Sequence, residues 1–195
     1  MSHQRSRPVF YLLACGSLAA AVSTGACGDD STTGPSTTTG DTRVKLDAIV
    51  TGRSGSCPAI RFNLGGIRVE TNVTTQFALS CDRVVDGVAA HADATRMLND
   101  VLIAREVEAG GSEPDFEADG PIEALSSVGD CSSSGGRTVT VLGLAVRAGG
   151  FTEFHDLTNG CSGLTVGNKV LARGPLVNPP AAPLLPPRAT RMEKR

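Results

Sequence analysis

The sequence predicts an all-β protein in which two similar small domains follow an export signal and a flexible tether. Three observations predict this class: short alternating apolar segments with no helical period, an internal repeat, and an apolar N-terminal stretch that follows arginines. Glycine accounts for 23 of the 195 residues, and aromatic residues make up only 4 %. The net charge of −2 argues against generic nucleic-acid binding, which depends on neutralising phosphates.

Residues 1–26 have the layout of a secretory signal peptide. Arg5 and Arg7 precede an uncharged apolar segment at residues 9–22, and small residues then lead to Cys27. The apolar segment is shorter than the about 20 residues that a membrane-spanning helix needs. We therefore expect the chain to be exported and the segment to be removed.

Residues 27–43 are polar and rich in Gly, Ser and Thr, so they predict a solvated tether. The tether begins at Cys27, directly after Thr24-Gly25-Ala26, and this motif resembles the lipobox of bacterial lipoproteins. The resemblance implies a lipid on Cys27 that anchors the protein to a membrane, since each buried methylene contributes about 0.8 kcal/mol. Gly28 resembles the outer-membrane sorting pattern, so we expect the outer membrane of the cell envelope. An ordinary cleaved signal and an uncleaved anchor are the alternatives.

The rest of the chain contains the same order of features twice, in residues 49–87 and 122–167. Each copy has a Cys, two alternating apolar segments separated by a Gly-containing turn, a Thr-x-Phe motif and a second Cys with a Gly six residues later. The matching positions are Cys57 with Cys131, Thr75 with Thr152, Phe77 with Phe154, Cys81 with Cys161, and Gly87 with Gly167. This repeat predicts one domain at 44–109, an acidic linker at 110–119 and a second domain at 120–195.

Each copy predicts about five or six short strands, a pattern typical of a small barrel or sandwich. The alternation places Ile60, Phe62 and Leu64 on one face of a strand. Residues 96–99 could form a single helical turn.

The order of these features resembles a family of domains of unknown function, number 5666. The features are two strands, a Thr-x-Phe motif, a Gly-led strand and a closing strand, Ala-Arg-Glu-Val-Glu, at 104–108. The resemblance covers about 49–108 and 120–193. It implies OB-like small β-barrels in tandem, in bacterial secreted proteins and lipoproteins, and it implies no particular activity.

Four cysteines remain after Cys15 in the signal segment and Cys27, and four cysteines allow three connectivities. Repeat symmetry favours the structural disulfides Cys57–Cys81 and Cys131–Cys161, which export to an oxidising compartment permits. A zinc site would need closer Cys or His spacing than the chain has. Redox-active or free thiols are the other alternative.

The sequence carries no constellation typical of an enzyme. His91 and His155 read as strand or surface residues, and there is no Gly-x-Ser-x-Gly elbow or phosphate-binding loop. We therefore expect a non-enzymatic binding or adaptor role without a cofactor or metal, and without nucleic acid as a partner. The expected partners are the membrane, through Cys27, and an envelope protein or glycan. A module that binds an oligosaccharide, small anion or metal ion is the alternative, and an enzyme with a site across both domains is a more distant one.

Overall fold

A computed structural model describes residues 42–111, 113–126, 131, 136–176 and 185–195. The predicted signal peptide and Cys27 lie outside the described residues. The described residues form fourteen β-strands in one mixed sheet, with two short 3-10 turns and no α-helix, so the predicted all-β class is confirmed. Within these residues, no helix is long and apolar enough to cross a membrane.

Eight strands form from residues 43–109, and a 3-10 turn at Cys81–Arg83 precedes the fifth. These strands are β1 (Arg43–Ser56), β2 (Ala59–Leu64), β3 (Ile67–Glu70), β4 (Gln76–Phe77), β5 (Ala89–Ala94), β6 (Met97–Leu98), β7 (Val101–Ile103) and β8 (Glu106–Ala109).

Six strands form from residues 115–194, and a 3-10 turn at Gly160–Gly163 precedes the fifth of them. These strands are β9 (Asp115–Leu125), β10 (Arg137–Val141), β11 (Leu144–Ala148), β12 (Glu153–His155), β13 (Lys169–Pro175) and β14 (Arg191–Lys194).

The pairings within residues 43–109 have counterparts within residues 115–194. Strand β1 is antiparallel to β2 and β5, β2 to β3, and β5 to β8, while β4 is parallel to β8 and β3 to β7. Likewise β9 is antiparallel to β10 and β13, β10 to β11, and β13 to β14, while β12 is parallel to β14. A parallel bridge between Arg147 and Arg188 takes the place of the β3–β7 pairing.

The two sets of strands join through β1 and β9, which pair antiparallel from Arg43 opposite Asp119 to Asp47 opposite Asp115. Leu46 and Phe116 lie opposite each other in this pairing and are both buried. One continuous hydrophobic cluster includes side chains from both sets of strands.

The period-two alternation predicted from the sequence is confirmed in the core. Ile60, Phe62 and Leu64 are each at most 1 % exposed, while Arg61 between them is exposed. Phe77 and Phe154 are partly buried and pack against the same core. The inner face of a strand was therefore predictable where the alternation is regular.

The Thr of each Thr-x-Phe motif binds the segment that leads into the parallel partner strand, β8 for the first motif and β14 for the second. The hydroxyl of Thr75 donates to the carbonyl of Ala104 at 2.7 Å, and that of Thr152 donates to the carbonyl of Ala189 at 2.7 Å. Both threonines are buried, and a buried hydroxyl needs such a partner.

Two local expectations were wrong. Residues 96–99 do not form a helical turn; Met97 and Leu98 form β6, and a turn at Asn99 and Asp100 leads into β7. Asn and Asp tolerate the left-handed conformation that this turn uses, with φ of 50° and 60°. The end of the predicted acidic linker is a strand, since Asp115 begins β9. Its acids alternate with the buried Phe116 and Ala118, a strand pattern that the clustering of acids concealed.

Candidate functional site

An open groove of about 790 Å³ runs along the outer surface where β1 lies between β5 and β9. Most of the side chains that line it are charged. They include Lys45, Asp47, His91, Glu108, Asp115 and Arg173.

Strand register explains why these side chains meet. Asp47 of β1 lies opposite His91 of β5 on one side and opposite Asp115 of β9 on the other. The neighbours of Asp47 along β1, Leu46 and Ala48, are buried in the core, so Asp47 points to the outer face. His91 in turn lies opposite Glu108 of β8. The result is a row of four titratable side chains on four adjacent strands.

A second row lies two residues along β1. Lys45 is opposite Asp93 and Glu117, and Glu117 is opposite Arg173 of β13. The carboxylate of Glu117 contacts Arg43 at 3.2 Å and Arg173 at 2.8 Å. Glu117 is therefore neutralised from both sides, whereas Lys45 has no carboxylate within 4.0 Å among the described residues.

The Asp47 carboxylate and the Nδ1 atom of His91 are 2.9 Å apart, and both side chains are less than a quarter exposed. This contact orients the imidazole ring.

Partial burial raises the pKa of Asp115 above its ordinary value of 3.8. The negative charge of Asp47 and a hydrogen bond with Asp47 raise this pKa further, as does the charge of Glu117, while His91 opposes the change. Asp115 nevertheless keeps more than a third of its surface exposed, so water screens these interactions. The groove thus contains a carboxyl group that takes up a proton more readily than a free aspartate does.

This arrangement suits reversible ionic contacts. The described lining contains four carboxyl groups and two permanent cations, but no hydroxyl or thiol that His91 could activate as a nucleophile. No group of three metal-ligating side chains is placed to hold a metal ion in the parts of the chain that the structure describes.

From the sequence, His91 was interpreted as a strand or surface residue, and its partners were not singled out. Asp47 is 44 residues away along the chain and Asp115 lies in the segment interpreted as a linker. The alternation of apolar and polar residues along β1 could have placed Asp47 on the outer face of the sheet. No local pattern in the sequence predicts the strand register that places Asp47 opposite His91.

His155, the other histidine considered, lies on β12 outside this groove and 3.6 Å from Glu153. Its neighbour Asp156 adopts a positive φ of 55°, and neither residue lines the groove.

Both disulfides expected from the repeat are present. Cys57 is bonded to Cys81, and Cys131 is bonded to Cys161. Cys81 and Cys161 each lie in one of the 3-10 turns and are at most 9 % exposed. Two disulfides are typical of an extracellular or periplasmic protein.

No protein-family model, curated protein or solved structure matches this chain.

Proposed function

We propose that this chain is an exported, lipid-anchored protein of the bacterial cell envelope that binds a partner without catalysis. The lipid on Cys27 holds the protein at the outer membrane, and residues 27–43 give the folded part freedom to reach its partner. The two disulfides and the polar composition of the tether support export.

The folded part consists, in this proposal, of two OB-like barrels that arose from a duplicated unit. The matching pairings of the two sets of strands support it, because in each set the first strand pairs with both the second strand and the strand after the 3-10 turn. The family resemblance of residues 49–108 and 120–193 implies the same topology.

The groove at Asp47, His91 and Asp115 is the observation that carries the binding role. Its lining includes four acidic side chains against two permanent cations, and Glu117 is already paired. The remaining acids favour a partner that presents basic groups. An envelope protein with a lysine- or arginine-bearing surface fits this chemistry, since complementary charges steer association and fix its geometry.

Site-specific photo-crosslinking in cells tests this role. A photoreactive amino acid replaces Glu108, which lines the groove, and in a control chain it replaces Val73, which is 84 % exposed and does not line the groove. Mass spectrometry then identifies the captured proteins. We expect one dominant envelope protein from Glu108 only. Equal capture from both positions, or none from Glu108, would contradict a partner in the groove.

A ligand-binding module is the second candidate, and one observation outside the groove favours an anionic ligand. It is the pair of Arg147 and Arg188, which have no carboxylate within 4.0 Å in the part of the chain that the structure describes.

A further inference from the structure

Two arginines face each other at the edge of β11. Arg147 and Arg188 form a parallel β-bridge, in which the amide of Arg147 donates to Pro187 and that of Ala189 donates to Arg147, both at 2.8 Å. Residues paired in this way direct their side chains to the same face of a sheet. Like charges placed directly opposite each other are destabilising unless a counter-charge lies nearby.

No described carboxylate supplies that counter-charge. Neither Arg147 nor Arg188 has a carboxylate within 4.0 Å in the described ranges, whereas most other described arginines do. The Nε of Arg147 donates to the carbonyl of Pro186 at 3.1 Å, which orients the guanidinium and leaves its terminal nitrogens available.

Phe151 completes the cluster. Its ring is 64 % exposed, and the guanidinium carbon of Arg188 lies 4.9 Å from the ring centre. This cation–π contact positions Arg188 while leaving its N–H groups free to donate.

A recess of about 10 Å³ lies among Arg147, Phe151, Thr152 and Arg188. That volume holds about one water-sized atom, so the recess suits the tip of a polar group and not a ring. The hydroxyl of Thr152 is already engaged, donating to Ala189 and accepting from the amide of Gly149. Among the side chains that line the recess, the two guanidinium groups are therefore the donors that remain.

The corresponding place in the first set of strands has different charges. There Glu70 of β3 lies opposite Ile103 of β7, and Glu70 contacts Arg61 and Arg68. Glu70 therefore neutralises both of those arginines. Arg147 and Arg188 occupy the corresponding positions in the second set of strands without such a carboxylate, so their lack of a described partner does not follow from the fold alone.

We propose that Arg147 and Arg188 together bind an oxyanion group, such as a phosphate or a carboxylate, on a ligand whose apolar part packs against Phe151. Guanidinium groups bind such anions through paired, charge-assisted hydrogen bonds. This site shares no lining residue with the acidic groove, so binding of an anion here does not depend on the partner proposed for the groove.

Nuclear magnetic resonance titration of the whole chain tests the site. The amide signals of residues 149–152 are followed while inorganic phosphate, dimethyl phosphate or acetate is added at constant ionic strength. Inorganic phosphate represents a free anion, dimethyl phosphate the diester linkage of a lipid headgroup or polymer, and acetate a carboxylate. The ligand that binds most tightly identifies the source.

The variants R147Q and R188Q each remove one donor, and R68Q removes an arginine that is already paired with Glu70. We expect saturable shifts in the parent chain, and binding about tenfold weaker in R147Q and R188Q because each loses a charge-assisted hydrogen bond. Binding in R68Q is expected to match the parent. Because Arg188 is exposed, R188Q keeps the test valid even if R147Q folds poorly. Failure of all three probes to saturate, or equal weakening in R68Q, would overturn the proposal.

Discussion

At the scale of single residues, Asp115 is placed among other acidic side chains. It lies opposite Asp47 in the β1–β9 pairing and near Glu117, and its pKa is raised by partial burial and by these negative charges. A raised pKa means that the folded state holds the proton more tightly than the unfolded state does. The ionised carboxylate therefore lowers the free energy of unfolding at neutral pH, and this effect disappears as pH falls through the raised pKa.

Asp115→Asn is expected to stabilise the fold at neutral pH by roughly 0.2–1 kcal/mol, the range of a cross-strand pair. The amide removes the repulsion and can still donate a hydrogen bond to Asp47. Urea unfolding at pH 7.5 and at pH 4 measures the difference, which should shrink at the lower pH. Glu153→Gln, at a side chain that is 77 % exposed, is the control. A gain that is the same at both pH values would mean that ionisation is not its cause.

Cys27 is the residue on which membrane attachment depends in our proposal. Cys27→Ser is expected to move the protein from the membrane fraction to the soluble fraction, because the acyl chains that anchor it have no attachment point. Cys15→Ser, within the predicted signal peptide, should leave the distribution unchanged. Fractionation and labelling with a fatty-acid analogue measure both variants. Retention of the label in Cys27→Ser would refute this anchor.

At the scale of elements, the disulfides compensate for short strands. Cys57–Cys81 and Cys131–Cys161 each close a loop, of separation 24 and 30, that contains several short strands. Closing such loops lowers the entropy of the unfolded chain. Each disulfide is therefore expected to stabilise all the strands within its loop and not a single contact.

Replacing both Cys57 and Cys81 by Ser is expected to lower the free energy of unfolding by roughly 3–4 kcal/mol in the chain-entropy model. Hydrogen exchange of backbone amides should accelerate most in β2 to β4, the strands inside the Cys57–Cys81 loop. The matched variant, with Cys131 and Cys161 replaced, should show the same effect in β10 to β12. Equal acceleration in both regions for either variant would refute the selective role of each disulfide.

At the scale of the whole molecule, the β1–β9 pairing joins the two sets of strands, and a second contact supports it. The amide of Met97, in β6, donates to the carbonyl of Leu142 at 2.8 Å, and Arg96 contacts Glu123 at 3.2 Å. These contacts link the β6 segment of the first set with strands of the second.

Phe116→Ala is expected to destabilise the molecule by about 3–5 kcal/mol, since it empties a fully buried site opposite Leu46. Because Phe116 lies in the β1–β9 pairing that joins the two sets of strands, its removal should lower amide protection in both β2 and β10 in hydrogen exchange. Phe151→Ala, at an exposed ring, should change the stability little. Loss of protection in β10 alone would show that the two sets of strands unfold independently.

Several features were predictable because their signals are local. Alternation along β2 identified Phe62 as a core residue, and the similar order of features around the cysteines in residues 49–87 and 122–167 led to the disulfide pairs. The partner of Arg105 was not predictable in this way: Arg105 contacts Asp93 at 3.0 Å, a residue on β5. A salt bridge across strands depends on register, which the spacing of charges along the chain does not reveal.

The sequence by itself determined the all-β class, the inner faces of the regular strands and the cysteine pairing. Each of these depends on a short period or on comparing two segments in which the same features occur in the same order. Only the tertiary structure decided that Asp47, His91 and Asp115 form one groove and that Arg147 faces Arg188. Both clusters join residues more than 40 positions apart. Their contacts depend on which strands pair and in what register. Strand pairing and register are determined by the packing of the whole sheet and not by local sequence.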